Sequence, residues 1–305
     1  MRFIISTEND YFDIDKYIGK TLNITSWKKW KDIPNLEVKE LYFNIPINKL
    51  MAMVQNCPKS YLITYFSSSA VREFTRLIHI KNVFVTKEGI YKDSSEIKLP
   101  NSKIKFRSKK ILFNGTIYDK LIYGVNTWGA WGHFLNGSPL SGLLYFPEEI
   151  VRQSMFYWQV QDMRFAHDVY EFGFQIAGIA VIDSTAVFVR DLYISAPIDI
   201  VNGQNHFTRM LREKVYKFYK LENVIPKYGL ITNRRPGSNR CVRNMDEFIK
   251  EIKAKYPHIE WLYRNDSQLI DTPRAVKDLA NTKYFICPAG SNSFKCVFLH
   301  ENCGM

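Results

Sequence analysis

Three arginines lie within seven residues in a polar loop: Arg234, Arg235 and Arg240. A guanidinium group offers a planar set of donors that matches the oxygens of a phosphate. Residues 228–232 (YGLIT) are mostly apolar and precede the loop, so they predict a buried strand that ends where the arginines begin. This arrangement predicts recognition of a diphosphate. The alternative is an exposed turn whose arginines pair with acids such as Asp246.

A second candidate anion site is the segment PAGSNSF, residues 288–294. Its small residues follow a predicted strand and lead into a predicted helix, where free backbone N–H groups and the positive helix end attract anions. The segment matches neither GxGxxG nor the Walker A pattern. An ordinary turn between strand and helix is therefore the alternative.

The third candidate is His133 in the segment TWGAWGHFLNGSPL, residues 127–140. A histidine can act as a general base near neutral pH or bind a sugar or phosphate oxygen. Trp128 and Trp131 could provide an apolar platform under a sugar ring. The alternative is a hydrogen-bonded core histidine among aromatic residues.

Other patterns that would indicate an enzyme class are missing from the sequence. It contains no HExxH motif, no serine elbow and no CxxC pair, and we predict no metal site. The carboxylates Asp162, Asp168 and Glu171 are scattered and do not form the pair expected of a glycosidase.

The elements that must position these residues are clearest in the last third of the chain. Apolar residues at helical spacing predict a helix over 205–219 and another after Asn244, which with Glu247 resembles a capping box. Thr272 and Pro273 predict the N-cap and first position of a helix ending at Ala280. Strands are predicted at 228–232, 259–263 and 284–287. This alternation indicates an α/β fold with a parallel sheet, whose ligands lie at the carboxyl ends of the strands.

The first part of the chain is richer in strand signals. Residues 38–47 and 60–69 contain many β-branched and aromatic residues, and Asn82 to Asp93 predicts a hairpin that turns near Glu88 and Gly89. We expect residues 1–203 to form one α/β domain and residues 204–305 a second.

Composition and charge limit the function classes. The chain has 305 residues, 46% of them hydrophobic, which is typical of a globular protein and excludes a disordered one. The formal net charge is +12, and eight of these charges fall in residues 201–305. Such a field attracts phosphates, but no nucleic-acid-binding motif accompanies it, so we predict no nucleic-acid partner. Five cysteines without a CxxC pair argue against a disulfide framework. The sequence contains no signal peptide and no apolar stretch long enough for a membrane anchor.

Taken together and in order, three segments resemble glycosyltransferase family 61. They are WGHFLNGSPLSGLLYFPEEI, ITNRRPGSNRCVRNMDEF and YFICPAGSNSFKCVFLH. The resemblance extends from about Asn82 to His300. The family includes O-linked N-acetylglucosamine transferases of the endoplasmic reticulum and plant xylosyltransferases.

The resemblance implies two Rossmann-like domains in the GT-B arrangement and inverting transfer of a sugar from a nucleotide-sugar donor to a hydroxyl of a protein or glycan. The donor is expected to be UDP-linked, with no other cofactor implied and the need for a divalent ion left open. The secretory pathway is the expected location. The histidine of the family's GHF segment corresponds to His133, the expected base. The remaining matches imply these donor-binding residues: Asn233, Arg234, Arg235, Arg240, Asn244, Gly290, Ser291, Asn292 and Lys295.

Departures from the family pattern leave a second function open. Ala289 stands where the family has a histidine, Lys295 stands where it has an asparagine, and the sequence ends soon after the third segment, as a truncated C-terminal domain would. The alternative is therefore an inactive family member that binds glycans or acts as a partner subunit.

Overall fold

The computed structural model describes residues 13–33, 36–44, 72–99, 106–125, 129–135, 138–197, 204–300 and 303–304. The predicted strand at 60–69, Trp128 and residues 45–47 of the predicted strand 38–47 lie outside this part. The chain divides into two compact units. The first comprises Met1–Gly129, Gly137–Gln161 and Gln175–His206, and the second comprises Ala130–Asn136, Asp162–Phe174 and Phe207–Met305. Two segments that precede residue 203 thus belong to the second unit.

The described residues of the first unit form a ten-stranded mixed sheet in the order β2-β6-β5-β4-β10-β7-β8-β9, with β1 paired to β7 and β3 paired to β4. Its strands are β1 (Thr21–Ile24), β2 (Ser26–Lys29), β3 (Glu37–Asn44), β4 (Arg72–Thr86), β5 (Gly89–Lys92), β6 (Ser95–Lys98), β7 (Lys109–Gly124), β8 (Met155–Trp158), β9 (Gly178–Ile179) and β10 (Ala186–Pro197). Short 3₁₀ helices lie at Ile14–Tyr17 and Trp30–Asp32. The predicted hairpin is confirmed, because β4 and β5 pair antiparallel with Thr86 opposite Gly89.

Both faces of the first unit's sheet are buried around its central strands. Val187 and Val189 of β10 pack in one apolar cluster, while Phe188 between them packs in another. Successive side chains of a strand point to opposite faces, so these two clusters lie on the two sides of the sheet.

The α helices of the described residues are α1 (Trp131–Leu135), α2 (Ser138–Tyr145), α3 (Glu148–Gln153), α4 (Ala166–Glu171), α5 (Gln204–Tyr219), α6 (Met245–Lys255) and α7 (Thr272–Ala280). Further 3₁₀ helices are Met163–Phe165, Asp266–Leu269 and Ser291–Phe298. Helices α2 and α3 belong to the first unit, and α1, α4, α6 and α7 belong to the second.

The second unit contains a parallel sheet in the order β12-β11-β13. Its strands are β11 (Tyr228–Asn233), β12 (Trp261–Asn265) and β13 (Thr282–Ile286), each within a few residues of the predicted position. Helix α6 joins β11 to β12 and α7 joins β12 to β13, so the predicted βαβαβ pattern and the α/β class are confirmed.

Two predicted helix caps are wrong in detail. Asn244 lies at the N-cap of α6, but its side chain makes no cap hydrogen bond, because its backbone (φ −95°, ψ 42°) is not in the extended conformation that a capping side chain needs. Asp271 occupies the N-cap position of α7 in place of Thr272, whose hydroxyl donates instead to Asp168. A complete capping box forms elsewhere, between Asn265 and Gln268.

Candidate functional site

The second unit's sheet contains a topological switch point at its carboxyl edge. Strand β11 is central, the chain passes first to β12 on one side, and then to β13 on the other. The loops that follow β11 and β13 start from neighbouring strands at this point, which is where parallel α/β sheets commonly bind their ligands. Both sequence segments predicted to bind anions lie in these loops.

Arg234 joins the two loops. A Cβ atom placed on Gly290 would lie 2.9 Å from Nη1 of Arg234, so the guanidinium rests directly against the glycine backbone. Gly290 also has φ +154°, a conformation that side chains rarely adopt. The Arg234 Nη1 atom is buried and has no hydrogen-bond partner in the described structure. A buried cationic donor without a partner is costly unless a ligand supplies one.

Arg235 and Asn292 meet on one carboxylate. The backbone N–H of Arg235 donates to Oδ2 of Asp266 over 3.1 Å, and the side-chain amide of Asn292 donates to Oδ1. Asp266 directly follows β12, so it connects the ends of all three strands. The Arg235 side chain itself is exposed. Its guanidinium forms no ion pair with the described residues, so the alternative of a surface pair with Asp246 is not observed.

Arg240 lies further along the loop that follows β11. It is exposed, has φ +65°, and lines a cleft of about 590 Å³. The cleft is lined by Asn233, residues 236–243, Met245 and Asp246. Asn233 is buried, and both ends of its amide are bonded within the loop, to Val242 and to the N–H of Arg234. Asn233 therefore holds the loop in shape, whereas Asn244 is exposed at the start of α6.

Lys295 is a buried cation. It is 5% exposed, and its Nζ lies 4.0 Å from the centroid of the Trp131 ring. Burial lowers its pKa to about 8, although the negative charges of Asp168 and Asp266 act in the opposite direction. It makes no hydrogen bond or ion pair with any residue that the structure describes. Ser291, which opens the same 3₁₀ helix, is exposed.

Helix α1 brings the third predicted segment to the same unit. A Cβ on Gly132 would lie 2.3 Å from Cδ2 of Phe294, so only glycine allows this approach. His133 is exposed, and its ring centroid lies 6.1 Å from that of Phe294. The face of Trp131 is covered by the Lys295 ammonium, which argues against Trp131 as an open platform for a sugar.

Two carboxylates at this site were not predicted. Asp168 is 8% exposed, accepts a hydrogen bond from Nε1 of Trp131 over 2.7 Å and a second from the hydroxyl of Thr272. No local pattern distinguishes Asp168 from its neighbours. Asp266 could have been found, because it lies three residues after the predicted strand 259–263, near the carboxyl end where ligands bind.

Two further features of the described residues bear on the chemistry. They contain no group of three or more His, Cys, Asp or Glu side chains placed to hold a metal ion. None of their helices combines the length and apolar character needed to cross a bilayer.

Comparison with protein families gives a match. A family model described as Glycosyltransferase 61 matches residues 131–305, which is more than half of the chain. The match begins at Trp131 and contains every candidate residue discussed above. A search of curated proteins finds no match.

Proposed function

This chain belongs to glycosyltransferase family 61, and from that premise we propose that it transfers a sugar, with inversion, from a nucleotide-sugar donor to a hydroxyl of a glycan or protein. The acceptor oxygen bonds to the anomeric carbon as the bond from that carbon to the diphosphate breaks. The electron pair leaves with the diphosphate, and the hydroxyl proton passes to a base. Positive groups on the leaving diphosphate and a base at the acceptor are therefore what the protein must supply.

The observation that carries the proposal is the buried Nη1 atom of Arg234, which has no hydrogen-bond partner among the described residues and lies against Gly290 at the switch point. The N–H donors of the Arg234 guanidinium match the paired oxygens of a diphosphate. The glycine lets the backbone approach those oxygens closely. Arg234 is thus our principal donor ligand.

Other residues complete the donor side. Lys295 adds a buried ammonium, and Arg240 adds an exposed charge beside the 590 Å³ cleft. Asp266 would repel phosphate, but its oxygens are occupied by Asn292 and by the Arg235 N–H. The remaining candidates, which contribute backbone or exposed polar groups, are Asn233, Asn244, Gly290 and Ser291.

His133 is our candidate base on the acceptor side. It is exposed on the short helix α1 and lies beside Phe294, whose ring offers apolar surface to a sugar. We further propose a UDP-linked donor, the GT-B arrangement of two Rossmann-like domains, a kinship with the N-acetylglucosamine and xylose transferases of the family, and a place in the secretory pathway.

The test compares two arginines that stand side by side. UDP is titrated into the wild-type chain and into the variants Arg234→Lys and Arg235→Lys by calorimetry. An ammonium cannot replace the guanidinium fork, so Arg234→Lys should weaken UDP binding about tenfold to a hundredfold. Arg235→Lys, whose side chain is exposed, is the matched control and should change affinity by less than about threefold.

Two results would contradict the proposal. The first is no UDP binding, and no rise in melting temperature with any nucleoside diphosphate, since binding to the folded state must stabilise it. The second is equal affinity of UDP for the wild-type chain and Arg234→Lys, which would assign this arginine to the scaffold.

A further inference from the structure

Asp168 is a buried carboxylate that the proposed chemistry does not use. It lies on α4 and reaches two other helices: its Oδ2 accepts from the Trp131 indole of α1 over 2.7 Å, and its Oδ1 accepts from the Thr272 hydroxyl of α7. Both oxygens are thus occupied by neutral donors. A carboxylate bonded in this way fixes the groups that donate to it.

The Trp131 ring, which Asp168 holds in place, packs against the Lys295 ammonium. The Trp131 ring is held by its N–H to Asp168, and its face lies 4.0 Å from Nζ of Lys295. A cation is attracted to the face of an indole, and the attraction is stronger where water is excluded. An indole supplies no conventional hydrogen-bond acceptor at its face, so the N–H donors of Lys295 that point away from the ring have no acceptor among the described residues.

We infer that Asp168 is a positioning residue of the donor site: through Trp131 it holds the Lys295 ammonium ready for the donor diphosphate. The inference rests on the proposed function and adds to it a residue outside the family-like motifs. Asp168 acts here at a distance, by orienting the ring and by its charge, and does not touch the donor.

The charge of Asp168 also favours the ammonium form of Lys295. Burial lowers the pKa of Lys295 to about 8, and Asp168 and Asp266 are the two charges that raise it against this effect. Titratable side chains on the helices packed against the 3₁₀ helix of Lys295 are His133 on α1 and Arg274, Lys277 and Asp278 on α7. Asp278 is paired with Arg264, so its charge does not replace that of Asp168. Arg274 lies 3.9 Å from Asp271.

The test is the pH dependence of UDP affinity, measured by calorimetry on the full chain between about pH 6.5 and 9.5. Wild-type affinity should fall as Lys295 loses its proton, and Lys295→Met should remove that fall. Asp168→Asn keeps the shape and an acceptor for the indole but removes the charge. In this variant the midpoint of the pH-dependent fall in UDP affinity should move to lower pH. Its UDP affinity at pH 8 should be about threefold to tenfold weaker than that of the wild type.

Two variants separate positioning from a structural role. Thr272→Val removes one bond to Asp168 but keeps its charge, so its midpoint should stay at the wild-type pH. Trp131→Phe keeps a ring and the Asp168 charge but loses the anchoring N–H, so its UDP affinity at pH 7 should fall about tenfold with an unchanged midpoint.

The inference is overturned if Asp168→Asn lowers the melting temperature yet leaves the midpoint in place. It is equally overturned if Trp131→Phe binds UDP as the wild type does. These results differ from a failure of the proposed function, in which the wild-type chain itself binds no UDP and the inference falls with it.

Discussion

Two buried basic side chains, one in each unit of this molecule, have different surroundings. In the first unit His79, 7% exposed, lies between two carboxylates, with Nε2 2.8 Å from Asp191 and Nδ1 3.3 Å from Glu37. Lys109 likewise lies 3.3 Å from Glu96. In the second unit Lys295 is buried against an indole face without an ion pair among the described residues.

This difference in partners separates basic side chains that stabilise the fold from basic side chains that a ligand can bind. Glu37 and His79 are direct partners across β3 and β4, so the sheet itself brings a carboxylate to the imidazole. Arg234 and Lys295 lie beyond strand ends, where no neighbouring strand brings an acceptor. A buried cation in that state lowers stability until an anion binds, which is the trade-off expected at a functional site.

The largest expected effect is the change in the free energy of unfolding that Lys295→Met causes at neutral pH. The folded-state pKa of Lys295 is about 8, below its usual 10.5, so the folded state binds this proton less tightly than the unfolded chain does. The charged lysine therefore costs stability below pH 8, and the cost disappears as pH rises toward 10.5. Lys295→Met should raise the free energy of unfolding by about 3 kcal/mol at pH 7, with the gain vanishing near pH 10.

Lys109→Met is the matched control, measured in the same urea titrations. It removes a cation that Tyr91 and Glu96 use, so it should lower the free energy of unfolding by about 1–2 kcal/mol. The comparison fails if both lysine variants shift stability in the same direction at pH 7.

The second prediction concerns the paired histidine. His79→Phe keeps an aromatic ring stacked on Tyr193 but leaves Asp191 and Glu37 without their partner. Urea denaturation should show a loss of about 2 kcal/mol, while UDP affinity stays unchanged. His79→Gln, which retains one donor, should lose less. A His79→Phe variant as stable as the wild type would mean that the bonds of this imidazole do not stabilise the fold.

The smallest effect is expected at a surface pair of the first unit. Glu40 and Arg76 face each other across β3 and β4, with Nε 2.9 Å from Oε1, but the Glu40 side chain is 40% exposed. Glu40→Gln should therefore change the free energy of unfolding by less than about 0.5 kcal/mol, and less still in high salt. A larger loss would show that pairing at the sheet surface contributes as much as pairing inside it.

Much of the second unit could be predicted from the sequence. Strands β11, β12 and β13 and helices α5 and α7 lie within a few residues of their predicted positions, because apolar periodicity and Pro273 act over neighbouring residues. The cap of α6 could not be predicted, since Asn244 adopts a backbone conformation that the loop before it imposes. Of the two adjacent arginines, the sequence could not say which one points inward.

What the sequence by itself determined is the alternation of strands and helices and the place of Arg234, Arg235 and Gly290 at strand ends. These depend on local pattern and on the general rule that parallel strands end at one edge. Only the tertiary structure decided that Arg234 rests on Gly290, and that Asp168 holds the indole on which Lys295 lies. Those contacts join residues far apart in the chain, and whether a buried charge finds a partner depends on every element packed around it.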